Sequence, residues 1–413
     1  RPGFVENLFE CSINYLAFED GVYCFETGEL LPYPVPGVFF MHKIDRPFPV
    51  NVDPVVIQEV MDKVLTPAFP DEEQLKYYLY RLGRAMAGNV HDKRWHVLIG
   101  ERDSSKGVLC DLIKRAFRDF VQAAMNSENF LSKPGSSGDA AKAQSWMSSL
   151  EFKRIALSNE IQLQGGRAKI HCNIIKRAAG GGDEIQCRTN YQNEQQKRLQ
   201  VTFFLHCNDF PPVEPADALQ TLEVFEFNAA YHTKEEIESR GDVCYKHWKE
   251  ADADIKTKWI PRSDVIDAFT VMVLGAWKPT KLPPPECVVN HTRDFSAAAS
   301  IPEIDRVKEV VKYTPSTDVP NVFTDEIKLA LDRAGLVGLS AYKIGMHLDR
   351  LYGHEDLPPK NIEFWKGGRK GRGFNHITIN DVVAFDAGEV RRAENLARNE
   401  HVRQKARFGF EFG

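Results

Sequence analysis

The stretch from Gly100 to Val108 combines two glycines, several polar residues and one lysine. Its pattern, G-x-x-x-x-S-K-G, departs at two positions from the phosphate-binding motif G-x-x-x-x-G-K-[ST]. Backbone N–H groups in such a loop can donate to phosphate oxygens, and the Lys106 ammonium group adds a positive charge. We predict nucleotide binding here, with an ordinary surface turn as the alternative. The assigned residues are Gly100, Glu101, Arg102, Asp103, Ser104, Ser105, Lys106, Gly107 and Val108.

Two more polar residues follow apolar runs that predict buried strands. Glu160 ends the run that begins at Arg154, and Asn208 ends the run that begins at Val201. Ligands of open α/β sheets bind at the carboxyl ends of the strands, so we expect both side chains near Lys106. A carboxylate there can orient and activate a water that attacks a γ-phosphate. A solvated loop glutamate is the alternative for Glu160.

The elements around the loop follow from hydrophobic spacing. Val97–Ile99 predicts a buried strand that Gly100 ends, and the apolar positions from Leu109 to Phe120 recur with helical spacing. With the two later strands, this indicates a nucleotide-binding α/β sheet. Residues 53–87 show two helical patterns broken at Pro67 and Pro70, which predict a helical layer.

The flanking segments have other patterns. Glycines and aromatic residues before residue 32 predict small hairpins, and five prolines in residues 32–49 predict an extended connector. Thr233 and Glu236 form a capping-box pattern for a helix that continues toward Trp248. Another helix is predicted to start at Ser263.

The C-terminal part predicts a helix, a second helix and a hairpin. The helices are expected over residues 325–336 and 340–351, and the strands over 362–365 and 374–379, around a basic glycine-rich tip. This order is typical of a winged helix, with a solvated helix and a surface loop as the alternative. The residues expected to contact DNA are Lys343, His347 and Arg350 on a solvent-facing side of the second helix, and Arg369, Lys370 and Arg372 near the tip.

The length, charge and composition of the chain limit the classes of protein to which it can belong. The 413 residues suffice for two to four domains, and the net charge of −5 means that nucleic acid must be bound by local basic patches. The eight cysteines form no C-x-x-C pair, so reduced core thiols are expected. No apolar run reaches the length of a membrane span. We therefore expect a soluble, intracellular protein without membrane contact, and the initial Arg1 suggests a fragment of a longer chain.

The ordered set of motifs resembles the superfamily 3 helicases, especially the primase–helicase of poxviruses and other large DNA viruses. The resemblance covers about residues 15–300. Besides the loop and the two strand ends, it includes a hairpin-rich region at Leu16–Leu30, a glycine-containing segment at Lys176–Arg188 and the run from Cys244 to Lys256.

The resemblance implies roles for these residues. Lys106 would hold the β- and γ-phosphates of ATP, Glu160 would polarise the water and contact Mg²⁺, and Asn208 would sense the γ-phosphate. A channel hairpin would follow the DNA backbone through positive charges and read no sequence. The candidates for this hairpin and its support are Lys176, Arg188, Lys197 and Arg198, with a plain surface hairpin as the alternative.

Several positions depart from the family pattern. Ser105 replaces a glycine, Gly107 stands where a Ser or Thr hydroxyl would ligate Mg²⁺, and Asn159 replaces a second acid. The residues from Ala218 to Leu222 lack the arginine pair that reaches a neighbouring subunit in relatives. An arginine acting on the next subunit must therefore come from elsewhere, and the candidates are Arg177, Arg188, Arg198 and Arg240.

The predicted fold class is α/β, with an AAA+-type P-loop ATPase core, a helical layer before it and a C-terminal winged-helix domain. The predicted domains are a hairpin-rich segment with its connector (1–52), a helical collar (53–94), a superfamily 3 ATPase domain (95–300), a winged-helix-like DNA-binding domain (301–379) and a tail (380–413).

The predicted function is that of an ATP-dependent DNA helicase. The resemblance implies a homo-oligomeric ring, usually a hexamer, that unwinds DNA at a viral replication fork. It would need ATP and Mg²⁺, hold single-stranded DNA in its channel and duplex at the winged helix, and follow a primase region in the full-length chain. Its location would be viral replication sites in the host cytoplasm or nucleus. The alternatives are a DNA-binding assembly module with a degenerate ATPase site and a small-molecule kinase.

Overall fold

A computed structural model gives the fold. It describes residues 4–130, 145–158, 170–171, 175–176, 179–187, 195–208, 213–214, 216–239, 248–300, 303–316, 321–333 and 340–380. The chain divides into two compact units, of which the first extends to residue 300 and the second begins at residue 301. Among the described residues, no helix is both long and apolar enough to cross a bilayer.

The elements of the first unit are numbered in chain order. Its strands are β1 (Tyr15–Ala17), β2 (Val22–Cys24), β3 (Glu29–Leu31), β4 (Trp95–Gly100), β5 (Val121–Met125), β6 (Ile155–Ser158), β7 (Ile170–His171), β8 (Glu184–Cys187), β9 (Gln195–Arg198), β10 (Thr202–Cys207), β11 (Val213–Glu214), β12 (Leu222–Phe227), β13 (Ala230–His232) and β14 (Trp248–Glu250). Its helices are α1 (Phe4–Cys11), α2 (Pro54–Val60), α3 (Thr66–Ala68), α4 (Glu72–Met86), α5 (Lys106–Phe117), α6 (Lys234–Ser239), α7 (Ser263–Gly275) and α8 (Glu286–Ser300).

A five-stranded parallel sheet forms the centre of the first unit. The strand order is β12-β4-β10-β6-β5, and every neighbouring pair is parallel. All residues of β4, β6 and β10 are buried, as is typical of parallel strands covered on both faces. The predicted α/β class and these three predicted strands are confirmed. Strands β5 and β12 were not predicted.

The strand order creates a crevice at the carboxyl end of β4. From β4 the chain crosses to β5 at one edge of the sheet, returns through β6 to β10, and then places β12 on the other side of β4. The strand order therefore reverses between β4 and β10, which is where ligands of open α/β sheets bind. Register supports this, because Cys207 on β10 lies opposite Ile99 on β4.

Helix α4 is packed into the core of the first unit. Its start is capped by Asp71, whose carboxylate accepts a hydrogen bond from the backbone N–H of Gln74 at 2.8 Å. The Tyr78 ring lies edge-on to Phe225 of β12 and Phe204 of β10, with centroid distances of 5.2 and 6.2 Å. The helix therefore lies directly against the strands that carry the crevice.

The helical break predicted at Pro67 is wrong in detail. A π-helical turn, Met61–Leu65, joins α2 to α3, and Pro67 lies in the first turn of α3. Proline has no N–H to donate, and Pro67 lies near the end of this continuous helical run, which ends at Ala68. The chain leaves helical structure only between α3 and α4.

Of the other local predictions, two are confirmed and one is wrong. Strands β1, β2 and β3 form an antiparallel meander, so the N-terminal hairpins are confirmed. The capping box is also confirmed, since Thr233 N–H donates to Glu236 Oε2 at 2.9 Å and Glu236 N–H to Thr233 Oγ1 at 3.2 Å. The extension of that helix to Trp248 is wrong. Trp248 begins β14, which pairs with β13, and its ring lies 3.9 Å from that of His232.

The second unit is a small mixed fold with its own apolar core. Its elements are α9 (Glu303–Val310), β15 (Val311–Tyr313), β16 (Val322–Phe323), α10 (Thr324–Arg333), α11 (Ala341–Tyr352), β17 (Asn361–Lys366), β18 (Arg369–Phe374) and β19 (Ile377–Ile379). Strand β16 pairs with β18, β18 with β17, and β15 with β19, all antiparallel. The core includes Ile327 of α10 and both Ile344 and Leu348 of α11.

Candidate active site

The loop between β4 and α5 is a tight turn that needs special backbone conformations. A Cβ atom on Gly100 would lie 2.7 Å from the Phe227 Cβ atom and 2.8 Å from Ser104 Oγ, so only glycine fits there. Asp103 and Ser105 have left-handed φ values of 60° and 68°. Ser105 thus adopts a conformation that glycine would adopt more easily, immediately before α5 begins.

The Lys106 ammonium group lies at the centre of this turn. It donates hydrogen bonds to the carbonyl oxygens of Gly100 and Glu101 at 2.6 and 2.9 Å, and to Ser104 Oγ at 3.0 Å. Asn208 Oδ1 lies 2.9 Å from the same nitrogen, so the three N–H groups of the ammonium are shared among four acceptor oxygens. The loop is therefore wrapped around one positive charge, which is half-buried beside the N-terminus of a twelve-residue helix.

The structure brings Lys106 and Asn208 together because their strands are neighbours. Asn208 follows the last residue of β10, which lies level with the end of β4. Strand β6, on the other side of β10, ends at Ser158 in the wall of the same cleft. Glu160, predicted to be catalytic and to contact Mg²⁺, follows β6 but lies outside the described residues.

A histidine and a cysteine that were not predicted link three of these elements. The His206 backbone N–H donates to Ser158 Oγ at 2.9 Å, and His206 Nδ1 lies 2.9 Å from the Ser158 carbonyl oxygen. His206 Nε2 lies 3.1 Å from the Cys110 sulfur. Nδ1–H therefore donates to the carbonyl, which leaves Nε2 to accept from the thiol. Helix α5 is thereby fixed to β10 and β6.

The pKa shifts of this pair agree with its neutral state. Burial, helped by the charge of Lys106 and opposed by the hydrogen bond to Ser158, lowers the pKa of His206 to about 4. Burial, together with the nearby Asp111 carboxylate, raises the pKa of Cys110 to about 12. At neutral pH both side chains are uncharged, so the pair has a structural role beside the cleft. A polar residue inside the apolar run of β10 was the only sequence signal for it.

The loop opens into a cleft of about 910 Å³ within the first unit. This volume is in the range of small-molecule and cofactor sites. Its charged lining comes from the π-helical turn Met61–Leu65, the loop, α5, β14 and the residues after β14. The charged residues are Asp62, Lys63, Arg102, Asp103, Lys106, Asp111, Lys114, Lys249, Glu250, Asp252 and Lys256.

Gly107 and the other described residues do not form a Mg²⁺ site with ligands from the protein. Gly107 offers no hydroxyl ligand, and a Cβ atom built on it would lie 3.4 Å from the Lys256 ammonium nitrogen. The described part of the chain also contains no group of three or more His, Cys, Asp or Glu side chains that could hold a metal ion. The contact between Lys256 and Gly107 was not predicted from the sequence.

The candidates for the channel hairpin are held by interactions within the chain. Strands β8 and β9 form an antiparallel hairpin, with Lys197 and Arg198 on β9. Lys197 pairs with Glu151, and Arg198 donates to Glu10 Oε1 at 3.1 Å and to the Gly182 carbonyl oxygen at 2.9 Å. These pairs anchor the hairpin.

The other candidates for this hairpin and for the arginine that acts on a neighbouring subunit are less defined. Lys176 is half-buried in a short helical segment. Arg177, Arg188 and Arg240 lie outside the described residues, whereas Arg198 is engaged as above.

The expected solvent-facing side of the second helix in the C-terminal unit is wrong at His347. Helix α11 forms, but His347 is only 6% exposed. It lies one turn after Ile344 and next to Leu348, both fully buried, so it belongs to the covered side of the helix. The side chains of Lys343 and Arg350 lie outside the described part of the chain.

The basic hairpin turns earlier than expected. Gly367 and Gly368 have φ values of 61° and 76°, which forms a two-residue turn directly between β17 and β18. Arg369, Lys370 and Arg372 therefore lie on β18, and not in a long tip. Arg369 pairs with Asp325 at 2.5 Å and Lys370 with Glu363 at 3.2 Å.

One curated protein and several solved structures are similar to this chain. No protein-family model matches the chain. Over 269 residues it is 27% identical to the protein described as "Putative helicase V13" of Sputnik virophage, a match that covers 65% of this chain and 33% of that protein. The chain therefore spans about one third of that relative's length.

Solved structures of the C-terminal region of NrS-1 also match. One apo structure has 12% sequence identity and a TM-score of 0.40, covering 79% of this chain and 76% of that chain. Another has 11% identity and a TM-score of 0.41, covering 90% and 98%. These scores are too low to assign a shared fold. The comparisons therefore show that 65% of this chain is similar in sequence to part of a virophage protein described as a helicase.

Proposed function

We propose that the chain is an ATP-hydrolysing DNA helicase. The observation that carries this proposal is the Lys106 ammonium group, held at the end of a parallel strand and bonded to Asn208 of the neighbouring strand. A positive charge, a helix N-terminus and backbone N–H groups that converge on one cleft suit a triphosphate. The similarity to the virophage protein supports a helicase over other nucleotide-dependent enzymes.

Within this proposal, Lys106 binds the terminal phosphates of ATP and Asn208 responds to the γ-phosphate. Glu160, two residues beyond β6, orients the attacking water. ATP is the proposed nucleotide. The contact of Glu160 with Mg²⁺ stays a prediction, and no step of the proposal depends on a metal held by Gly107.

The wider assembly is also part of the proposal. An AAA+-type core of superfamily 3, the preceding helices as a collar and a ring of six copies would let successive subunits pull single-stranded DNA through a channel. The hairpin of β8 and β9 would face that channel. The second unit would be a winged helix that touches duplex DNA. A primase region before residue 1 and a place at a viral replication fork complete this proposal.

The test is ATP turnover with and without single-stranded DNA. We expect DNA to stimulate hydrolysis in the parent protein, and Glu160→Gln to lower turnover by roughly 10²- to 10⁴-fold, because a general base contributes that much. Glu235→Gln, an exposed glutamate of α6, is the matched control and should hydrolyse ATP at the parent rate. Parent-like turnover in Glu160→Gln would show that this glutamate is misassigned.

A second candidate is a DNA-binding assembly module whose ATPase site is degenerate. Gly107 favours it, because the residue cannot supply the hydroxyl that usually ligates Mg²⁺. This candidate predicts that the parent protein binds DNA but turns over no ATP, with or without DNA. The turnover measurement above therefore decides between the two functions.

The DNA contact of the second unit gives a separate prediction. Arg372 is exposed on β18, and its guanidinium group makes no hydrogen bond or ion pair within the described part of the chain. Arg372→Ala should weaken duplex DNA binding and reduce the slope of log K against log salt by about 1, as expected for one lost phosphate contact. Lys370→Ala, whose ammonium group already pairs with Glu363, should change the slope less. Equal slopes for both variants and the parent would argue against this surface.

A further inference from the structure

Lys256 lies against the first turn of α5. Gly107, the residue after Lys106, leaves a space whose nearest neighbour is the Lys256 ammonium nitrogen, 3.4 Å from where a Cβ atom would be. Both lysines line the same cleft. A serine or threonine at position 107 would direct its side chain toward this ammonium group. Because Gly107 has no side chain, the Lys256 ammonium group has room beside the start of α5.

The position of Lys256 is fixed by a packed turn. It belongs to a π-helical turn, Ile255–Trp259, in which the Trp259 side chain is buried. The Trp259 indole N–H donates to Glu59 Oε2 at 3.3 Å, which ties the turn to α2. Lys256 therefore lies on a turn that is fixed to α2 by a hydrogen bond, and not on an isolated loop.

The charges at the start of α5 favour binding of an anion. Lys258, on the same turn, donates to Asp254 Oδ2 at 2.7 Å, whereas the Lys256 ammonium group makes no hydrogen bond or ion pair with any other described residue. Lys106 and Lys256 both act electrostatically on the Cys110 thiol, so both charges lie near the start of α5. The positive end of the helix dipole adds to them. Two lysine charges and the positive end of the helix dipole on one side of the cleft attract a negative group such as a phosphate.

We infer that Lys256 is a second phosphate-binding residue of this site and supplies the positive charge that a metal ion supplies in loops with a hydroxyl after the lysine. The inference rests on the proposed nucleotide binding and defines how the phosphates are neutralised. A divalent cation at position 107 would meet the Lys256 ammonium group and no hydroxyl ligand from that position. Binding of ATP by this chain therefore depends on Lys256 and only weakly on Mg²⁺.

The test measures ATP affinity by isothermal titration calorimetry, in EDTA and in Mg²⁺. In EDTA the parent protein is expected to bind ATP, and Lys256→Ala to bind it at least about tenfold more weakly, because a charge-assisted hydrogen bond to a phosphate is lost. Lys258→Ala removes the same charge from the same turn, but its ammonium group pairs with Asp254 and does not line the cleft. Its affinity should equal that of the parent.

A rescue variant makes the test specific. Lys256→Ala combined with Gly107→Ser replaces the ammonium group by a hydroxyl, so Mg²⁺ should raise its ATP affinity about tenfold, and by clearly more than it raises that of the parent. Parent-like affinity of Lys256→Ala in EDTA would overturn the inference, as would an equal loss in Lys258→Ala or an absence of rescue. If the parent protein binds no ATP in either buffer, the proposed function itself fails, so the two failures are distinguishable.

Discussion

Replacing Lys106 by alanine should lower ATP turnover by about 10²- to 10³-fold, the usual loss when one donor to developing charge is removed. The ammonium group is the only part of the side chain that reaches Asn208 and the loop carbonyls, so alanine removes every one of these contacts. The measurement is steady-state phosphate release at saturating single-stranded DNA. Lys234→Ala, an exposed lysine of α6, removes an equal charge and should leave turnover unchanged.

Lys106 also organises the loop. A loss of ATP turnover caused by misfolding must therefore be distinguished from one caused by the missing ammonium group. Circular dichroism and the duplex DNA affinity of the second unit should match the parent in Lys106→Ala, since α5 is also fixed by the contact between Cys110 and His206. Full turnover in Lys106→Ala would remove the basis of the nucleotide site.

Replacing Asp92 by alanine should destabilise the first unit by about 3–5 kcal/mol, because it removes the carboxylate that accepts hydrogen bonds from two buried guanidinium groups. Asp92 accepts hydrogen bonds from Arg81 at 2.8 Å and from Arg84 at 2.8 and 3.0 Å, and it is 6% exposed. Burial raises the pKa of Asp92, but the hydrogen bonds from Arg84 and the charge of Arg81 outweigh it and leave the pKa below its ordinary value. The carboxylate is thus ionised at neutral pH.

Hydrogen exchange measures this destabilisation at the sheet. Arg81 also contacts Glu223 of β12 at 3.3 Å, so the network joins α4 to the strand beside β4. Exchange of β4 amides should accelerate by roughly 10²- to 10⁴-fold in Asp92→Ala, if opening becomes easier by the expected amount. Glu72→Ala breaks the exposed pair of Glu72 with Lys76 and should change exchange by less than about sixfold, the equivalent of about 1 kcal/mol. Equal exchange in both variants would contradict the buried network.

The proximity of Lys106 and Asn208 could be predicted because each depends on local signals. The apolar run of β4, the glycine that ends it and the helical spacing of α5 are contiguous in sequence. The apolar run of β10 is equally continuous, and parallel strands bring their carboxyl ends to one edge. No further information was needed to place the two side chains near each other.

The remaining contacts depend on packing that has no local signature. Lys256 approaches Gly107 only because a π-helical turn is anchored through Trp259, and nothing in residues 244–256 indicates that turn. Helical spacing predicted α11 but could not show that His347 lies on its covered side, since an adjacent core determines this. The capping box predicted a helix toward Trp248, but Trp248 begins β14, which pairs with β13.

The order of strands has a consequence for synthesis on the ribosome. Strand β4 gains its two neighbours only when residues 202–207 and 222–227 have emerged, although β4 itself ends at residue 100. At roughly 5–20 residues per second, a delay of the order of ten seconds separates the strand from its partners. During that interval a strand that is fully buried in the folded protein has no pairing partner, so the nascent chain is exposed to aggregation at the segment that leads into the Lys106 loop.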